Sequence, residues 1–224
     1  MENFSKELKS NSIEVWNEIL ENRFIQELSN NTLPSKKFIF YLLQDKIFLN
    51  EFCIFLEKSS KLTNDEDTKK WMNNVVNVIV NDELRMQKEL LRIAGYVNNN
   101  QTVSISPTDV TQDYIDSMKK LLKNDDNKLH RIIAFMAPCP WTYYEIAEKI
   151  KKEAVIKSAA ITKWVDFYSS FESKQQVDFI LHLLNDFSKD LSNDERSEMK
   201  IYFNKACKHE LDFWHAAYNY KQTL

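Results

Sequence analysis

The chain has 224 residues, 43% of them hydrophobic and 28% charged, with a formal net charge of −3 and a mean hydropathy of −0.49. That is apolar material for a core in one domain or at most two, and a slightly acidic balance that offers no basic field to nucleic acid. One glycine and four prolines are too few turn-formers for an all-β fold, and one glycine is too little for the phosphate loops of a doubly wound sheet. Long helices with short polar connections need neither.

Residues 4–28 carry apolar side chains at helical intervals, among them Ile13, Trp16, Ile19 and Leu20, and read as the first helix. Asn30 to Pro34 is a break, and Ser35 is placed to cap the next helix. Residues 38–56 form a strongly apolar, aromatic-rich helix. A polar turn at 59–63 follows, with Asn64 or Asp65 as the next cap. Residues 66–94 read as one long helix, and Gly95, the sole glycine, falls where a helix stop is expected. Residues 98–106 are a polar loop, then 108–123 a helix and 124–126 a connection. Residues 128–136 lead into a proline-rich stretch whose helix continues to about residue 153. Residues 155–171, 174–187 and 193–220 are the last three helices, with Ser173, Ser188 and Ser192 at the junctions. The chain reads as an all-α, single-domain bundle of seven to nine helices over residues 1–224, packed around a central pocket. No apolar run is long enough to span a membrane and no signal peptide is seen. Cys53, Cys139 and Cys207 form no CxxC pair, which points to reduced thiols in a cytoplasmic protein rather than a disulfide framework or a zinc site.

Three stretches carry candidate chemistry. In Met136-Ala137-Pro138-Cys139-Pro140-Trp141, each proline biases the residue before it away from the helical region. Cys139 is therefore expected at a helix start or a sharp kink, where unpaired N–H groups and the helix dipole favour a thiolate. The alternative is a buried cysteine packed as a small hydrophobe. Tyr41, Asp45, Phe48 and Phe52 share one helix face, so Asp45 either meets a ligand's amino group or ring nitrogen, or sits at the rim of an aromatic core. Glu210, Phe213, Trp214 and Tyr218 share another. Glu210 is either an acid or base with a raised pKa, or a glutamate reaching out from an aromatic stripe. Tyr114, Tyr143 and Tyr168 are weaker candidates. Asp212 and His215 stand three apart, but no Glu-x-x-His pair accompanies them, so no metal site is expected.

Taken together, four segments resemble the TenA family, also called thiaminase II or aminopyrimidine aminohydrolase. They are Tyr41-Leu-Leu-Gln-Asp45-Lys-Ile-Phe48-Leu, Ala137-Pro-Cys139-Pro-Trp-Thr-Tyr143-Tyr-Glu145, Lys163-Trp164-Val-Asp-Phe-Tyr168, and His209-Glu210-Leu-Asp-Phe213-Trp214. The resemblance implies a haem-oxygenase-like fold without haem, no cofactor, a homotetramer, and hydrolysis of small aminopyrimidines in thiamin salvage. It implies Cys139 as the nucleophile, Glu210 as the acid/base that handles the protons of leaving group and ring nitrogen, and Asp45 as the group that holds the aminopyrimidine and helps protonate it. Tyr143 would lie near the cysteine. Tyr114, Tyr168, Phe213 and, at a position where many members have tyrosine, Phe48 would line the heterocycle. The chain departs from the pattern also in Asn22-Arg23-Phe24, in Glu83-Leu-Arg-Met-Gln87, which lacks a histidine many members have, and in the segment around Tyr114. These departures keep a second reading open, a helical pyrimidine-binding or regulatory protein with the same pocket and little turnover. A haem-dependent or oxidase relative is a third, but no obvious proximal histidine supports it.

Overall fold

The structure, a computed structural model, describes residues 3–96, 106–123 and 129–220. The expected loop over 98–105, the connection over 124–126 and the start at residue 128 lie outside these. Twelve α-helices and one π-helical turn make up the described regular structure: α1 Phe4–Asn11, α2 Ile13–Leu20, α3 Arg23–Ser29, α4 Ser35–Ser59, α5 Glu66–Val78, the π turn Ile79–Glu83, α6 Leu84–Ile93, α7 Asp109–Lys123, α8 Leu129–Met136, α9 Pro138–Glu153, α10 Ala159–Tyr168, α11 Phe171–Lys189 and α12 Asn193–Asn219. The all-α expectation holds, and the helix number is higher than expected because of breaks that hydrophobic periodicity does not register.

The first helix is three. Ser10, Asn11 and Ser12 favour local side-chain hydrogen bonds over a helix interior, and the chain turns at Ser12 (φ −113°, ψ 17°). It breaks again where Asn22 Oδ1 accepts the N–H of Phe24 at 2.8 Å and starts α3. Ser35 is not the cap of α4; Pro34 holds that position and Ser35 is the first helical residue. Asp65 does cap α5, accepting from Thr68 N–H at 2.7 Å. Ser170 rather than Ser173 caps α11, and Ser192 with Glu195 forms a capping box on α12. The helix expected from 155 begins at Ala159. Asn31 clamps the preceding segment open, donating from Nδ2 to Val155 O at 3.0 Å and accepting from Lys157 N–H at 2.9 Å.

Gly95 ends α6 at φ +84°, and a Cβ added there would meet nothing within 4 Å. Gly95→Ala therefore strains only the backbone. It is expected to lower unfolding free energy by about 1–2 kcal/mol, read as an earlier urea midpoint at unchanged slope; an unmoved midpoint would contradict the strain argument.

Helix α12 runs through the middle, packing on α2, α7, α8 and α9, while α4 packs on α5, α6 and α7, and α10 bridges α6 and α9. One apolar core joins them, with Trp16, Trp164 and Trp214 fully buried. Both central helices carry carboxyl groups into that core: Asp45 from α4 and Glu210 from α12 are 3% and 2% exposed. A buried carboxyl among rings is unfavourable unless partners meet it, so these two residues mark where packing has been given up for something else.

Candidate active site

Cys139 is the second residue of α9, as a helix start requires. The expected route into it differs. Ala137, the single residue between α8 and α9, keeps right-handed helical angles (φ −67°, ψ −38°) despite Pro138. It is fully buried, and Trp141 N–H reaches back to its carbonyl at 3.4 Å, so packing overrides the local bias of the proline. The helix is pinned one turn further on by Glu145, which accepts from Lys9 Nζ at 2.6 Å, Trp16 Nε1 at 2.9 Å and Trp141 Nε1 at 2.7 Å.

Cys139 and Glu210 border the same inner void, and Glu210 Oε1 accepts from the Tyr114 hydroxyl at 2.7 Å. The helix start does not make this thiol acidic. Burial first, then the charges of Glu210, Asp45 and Glu83, push its pKa well above that of a free thiol. Burial likewise raises Glu210 from 4.5 to about 7, against the opposing hydrogen bonds from Tyr114 and Cys139. The arrangement sets a neutral thiol beside a carboxyl poised near neutral pH.

Asp45 is held on its other flank. Gln87 Nε2 donates to Asp45 Oδ2 at 2.5 Å and the Tyr143 hydroxyl faces Oδ1 at 3.4 Å. Behind Tyr143, Tyr41 accepts from Trp164 Nε1 at 3.0 Å. Burial raises the pKa of Asp45 well above the usual carboxylate range, and Glu83 and Glu210 add to it. Glu83 is a third buried acid. It ends the π turn, where Leu84 N–H bonds Ile79 O, and it accepts from the Tyr168 hydroxyl at 2.5 Å. Burial lifts it from 4.5 to about 7. Sequence reading placed Glu83 and Gln87 only as a departure from the family's pattern. Their four-residue spacing was a usable signal; the π turn, which re-aims Glu83, was not.

Two hollows meet here. An outer cleft of about 1170 Å³ is lined at its inner end by Asp45, Glu83, Cys139, Tyr143 and Tyr168, and runs out past Trp71, Phe167 and Lys163. An inner void of about 10 Å³ is bounded by Asp45, Phe48, Tyr114, Cys139, Tyr143, Glu210 and Phe213, room for about one water-sized body. Asp45, Cys139 and Tyr143 form the partition between them. Each residue expected at the site borders one of the two hollows: Phe48, Tyr114, Glu210 and Phe213 the inner void, Tyr168 the cleft, and Asp45, Cys139 and Tyr143 both. Phe48 packs its ring 4.6 Å from Tyr114.

An all-helical fold with a thiol among buried carboxylic acids, at the end of a cleft of this size, defines a protein built to hold and act on a small molecule. The chain belongs to the TENA/THI-4/PQQC family, which it matches over residues 10–220. The aminopyrimidine aminohydrolase of Staphylococcus saprophyticus is 30% identical over 221 residues, covering 96% of this chain and 94% of that one. The aminopyrimidine aminohydrolase of Halalkalibacterium halodurans is 24% identical over 217 residues, 96% of each chain. Among solved structures, a TenA homologue from Pyrococcus furiosus shares the fold with a TM-score of 0.85 at 20% identity, over 96% of this chain and 100% of its own. No described helix is long and apolar enough to cross a membrane.

Proposed function

We propose that the protein hydrolyses the bond between the 5-methylene carbon of a 4-amino-2-methylpyrimidine and its nitrogen substituent, yielding 4-amino-5-hydroxymethyl-2-methylpyrimidine. Full-length similarity to aminohydrolases of aminopyrimidines supports the reaction class. The observation that carries the chemistry is that Cys139, Glu210 and Asp45 border one small buried void.

The ring lies where the two hollows meet, with its amino group and a ring nitrogen on Asp45. Phe48, Tyr114 and Phe213 yield to admit its inner edge. The thiol sulfur bonds to a ring carbon as its proton passes to Glu210, while protonated Asp45 gives its proton to a ring nitrogen. The electron-rich adduct expels the substituent, the C–N bonding pair leaving with the nitrogen. Water adds to the exposed methylene and its spare proton goes to the departed amine. The ring nitrogen then returns its proton to Asp45, the C–S pair returns to sulfur, and Glu210 reprotonates the thiol. One difficult displacement becomes two easier steps. By family resemblance the enzyme is a single-domain homotetramer of the cytoplasm that uses no cofactor.

The packing of Phe48 against Tyr114 over so small an inner void favours one rival, a binding or regulatory protein with little turnover. Incubation with the 5-aminomethyl pyrimidine, followed by chromatography for the alcohol beside calorimetric titration with the same compound, separates the two. Product formed at a rate tens of times the uncatalysed one supports the enzyme; tight binding without product supports the rival.

A further inference from the structure

We infer that Glu83 is the residue that recognises the cationic nitrogen of the substrate's 5-substituent. The inference rests on the aminopyrimidine reading above and names the side chain that reading leaves unassigned.

The argument begins with geometry. Glu210 borders the inner void and not the outer cleft, whereas Glu83 borders the cleft and not the void. The two acids stand on opposite sides of the Asp45–Cys139–Tyr143 partition. A ring placed over Cys139 with one edge on Asp45 has a closed wall on the Glu210 side. Its substituent must leave, and only the cleft offers a way out, so the substituent projects past Glu83 and Tyr168.

Charge comes next. Asp45, Glu83 and Glu210 lie within one buried neighbourhood, and the residues that bound the inner void and the inner end of the cleft beside them include no lysine, arginine or histidine. His209, which stacks on Tyr114, is held neutral near neutral pH, burial pushing its pKa down to about 4. Glu83 has one partner, the Tyr168 hydroxyl. Gln87, 2% exposed, spends its amide N–H on Asp45 and leaves its Oε1 buried without a hydrogen-bond donor. This is a pocket short of donors and of positive charge. Along the cleft, Lys163 is paired with Glu89 at 2.7 Å and Arg85 faces Asp82 at 3.9 Å; Lys157 adds one positive charge, but Asp166 and Glu172, with the buried Asp45 and Glu83, outnumber it. The approach therefore favours cations as well.

A cationic substituent makes a buried ion pair with the Glu83 carboxylate as well as a hydrogen bond, whereas the hydroxymethyl product offers only a neutral donor and no ion pair. Glu83 thus distinguishes substrate from product at the atom where they differ, and the loss of the cation on cleavage weakens retention of the product. The π turn has a role in the same terms, because one extra residue per turn brings Glu83 into the cleft while Gln87, one turn on, reaches Asp45.

The test uses Cys139→Ala protein, so that the substrate is bound without being consumed, and two ligands of nearly equal size, the 5-aminomethyl and the 5-hydroxymethyl pyrimidine. Calorimetry at pH 7.5 is expected to give about ten- to hundredfold tighter binding of the amine. Adding Glu83→Gln, which keeps an acceptor for Tyr168, is expected to bring that ratio below about threefold, through loss of amine affinity. An unchanged ratio in the double variant, or an amine bound no tighter than the alcohol with Glu83 intact, overturns the inference. The second of these comparisons decides the matter alone if the glutamine variant does not fold. Wild-type turnover of the amine separates the two levels: turnover with an unchanged ratio removes Glu83 and spares the aminohydrolase reading, whereas neither binding nor turnover of either compound removes both.

Discussion

Replacing Cys139 by alanine is expected to lower kcat by at least ~10³-fold, because it removes the sulfur proposed to add to the ring, and groups that act as a unit fail together. Binding of the pyrimidine should persist, since Asp45, Tyr143 and Gln87 keep their contacts with one another. Cys53 and Cys207, both buried, supply controls: neither borders the cleft or the inner void. Steady-state rates beside calorimetric affinities check the pair of expectations. A Cys139→Ala protein with wild-type kcat would remove the nucleophile from the mechanism; one that neither binds nor turns over would point to a role in packing instead.

Glu210→Gln is expected to lower kcat by ~10²–10⁴-fold, because the amide cannot take the thiol's proton. The pH dependence gives this a sign. Glu210 must be ionised to accept the proton, and burial has raised its pKa to about 7, so kcat/KM in the wild type should climb with pH through about 7 before levelling. The glutamine variant should lose that limb. Stability runs the other way. A carboxyl whose folded pKa lies above its unfolded 4.5 holds its proton more tightly when folded, so it opposes folding progressively as pH rises from 4.5 to about 7. The full penalty, at most about 3 kcal/mol, applies above that. Glu210→Gln escapes it and should melt no lower than wild type at pH 8. Lost activity together with a lower melting temperature at pH 8 would instead mean the substitution acts through the fold.

The buried carboxyl groups explain the pattern of what was legible beforehand. Asp45 and Glu210 stood out because each interrupts an aromatic helix face, and such an interruption is visible at three- and four-residue spacing without any knowledge of what lies opposite. Cys139 stood out because two prolines flank it. Tyr143 and Tyr168 were weaker candidates from spacing; Tyr143 borders both hollows and Tyr168 the cleft. Glu83 was passed over because its helix reads as an uninterrupted amphipathic run. Nothing in the residues 79–83 announces a π turn, since that turn depends on how α5 and α6 pack on α4 and not on local propensity.

Electrostatics was the other quantity hidden from the chain. A helix start lowers a thiol's pKa when other charges are distant, which was the basis for expecting an acidic Cys139. Folding brings Glu210, Asp45 and Glu83 from three separate elements to the same sulfur, and burial removes the water that would screen them. The local dipole is outweighed, and the thiol's pKa rises instead of falling.

By itself, then, the order of residues determined an all-helical chain, the faces that go inward and the acids that interrupt them, because these follow from periodicity and from the near absence of glycine. The tertiary structure alone decided where the helices break, which carboxyl faces which hollow, and the direction in which each buried group's proton affinity moves. Those depend on distances between residues as much as 165 positions apart, such as Asp45 and Glu210, and no local pattern encodes them.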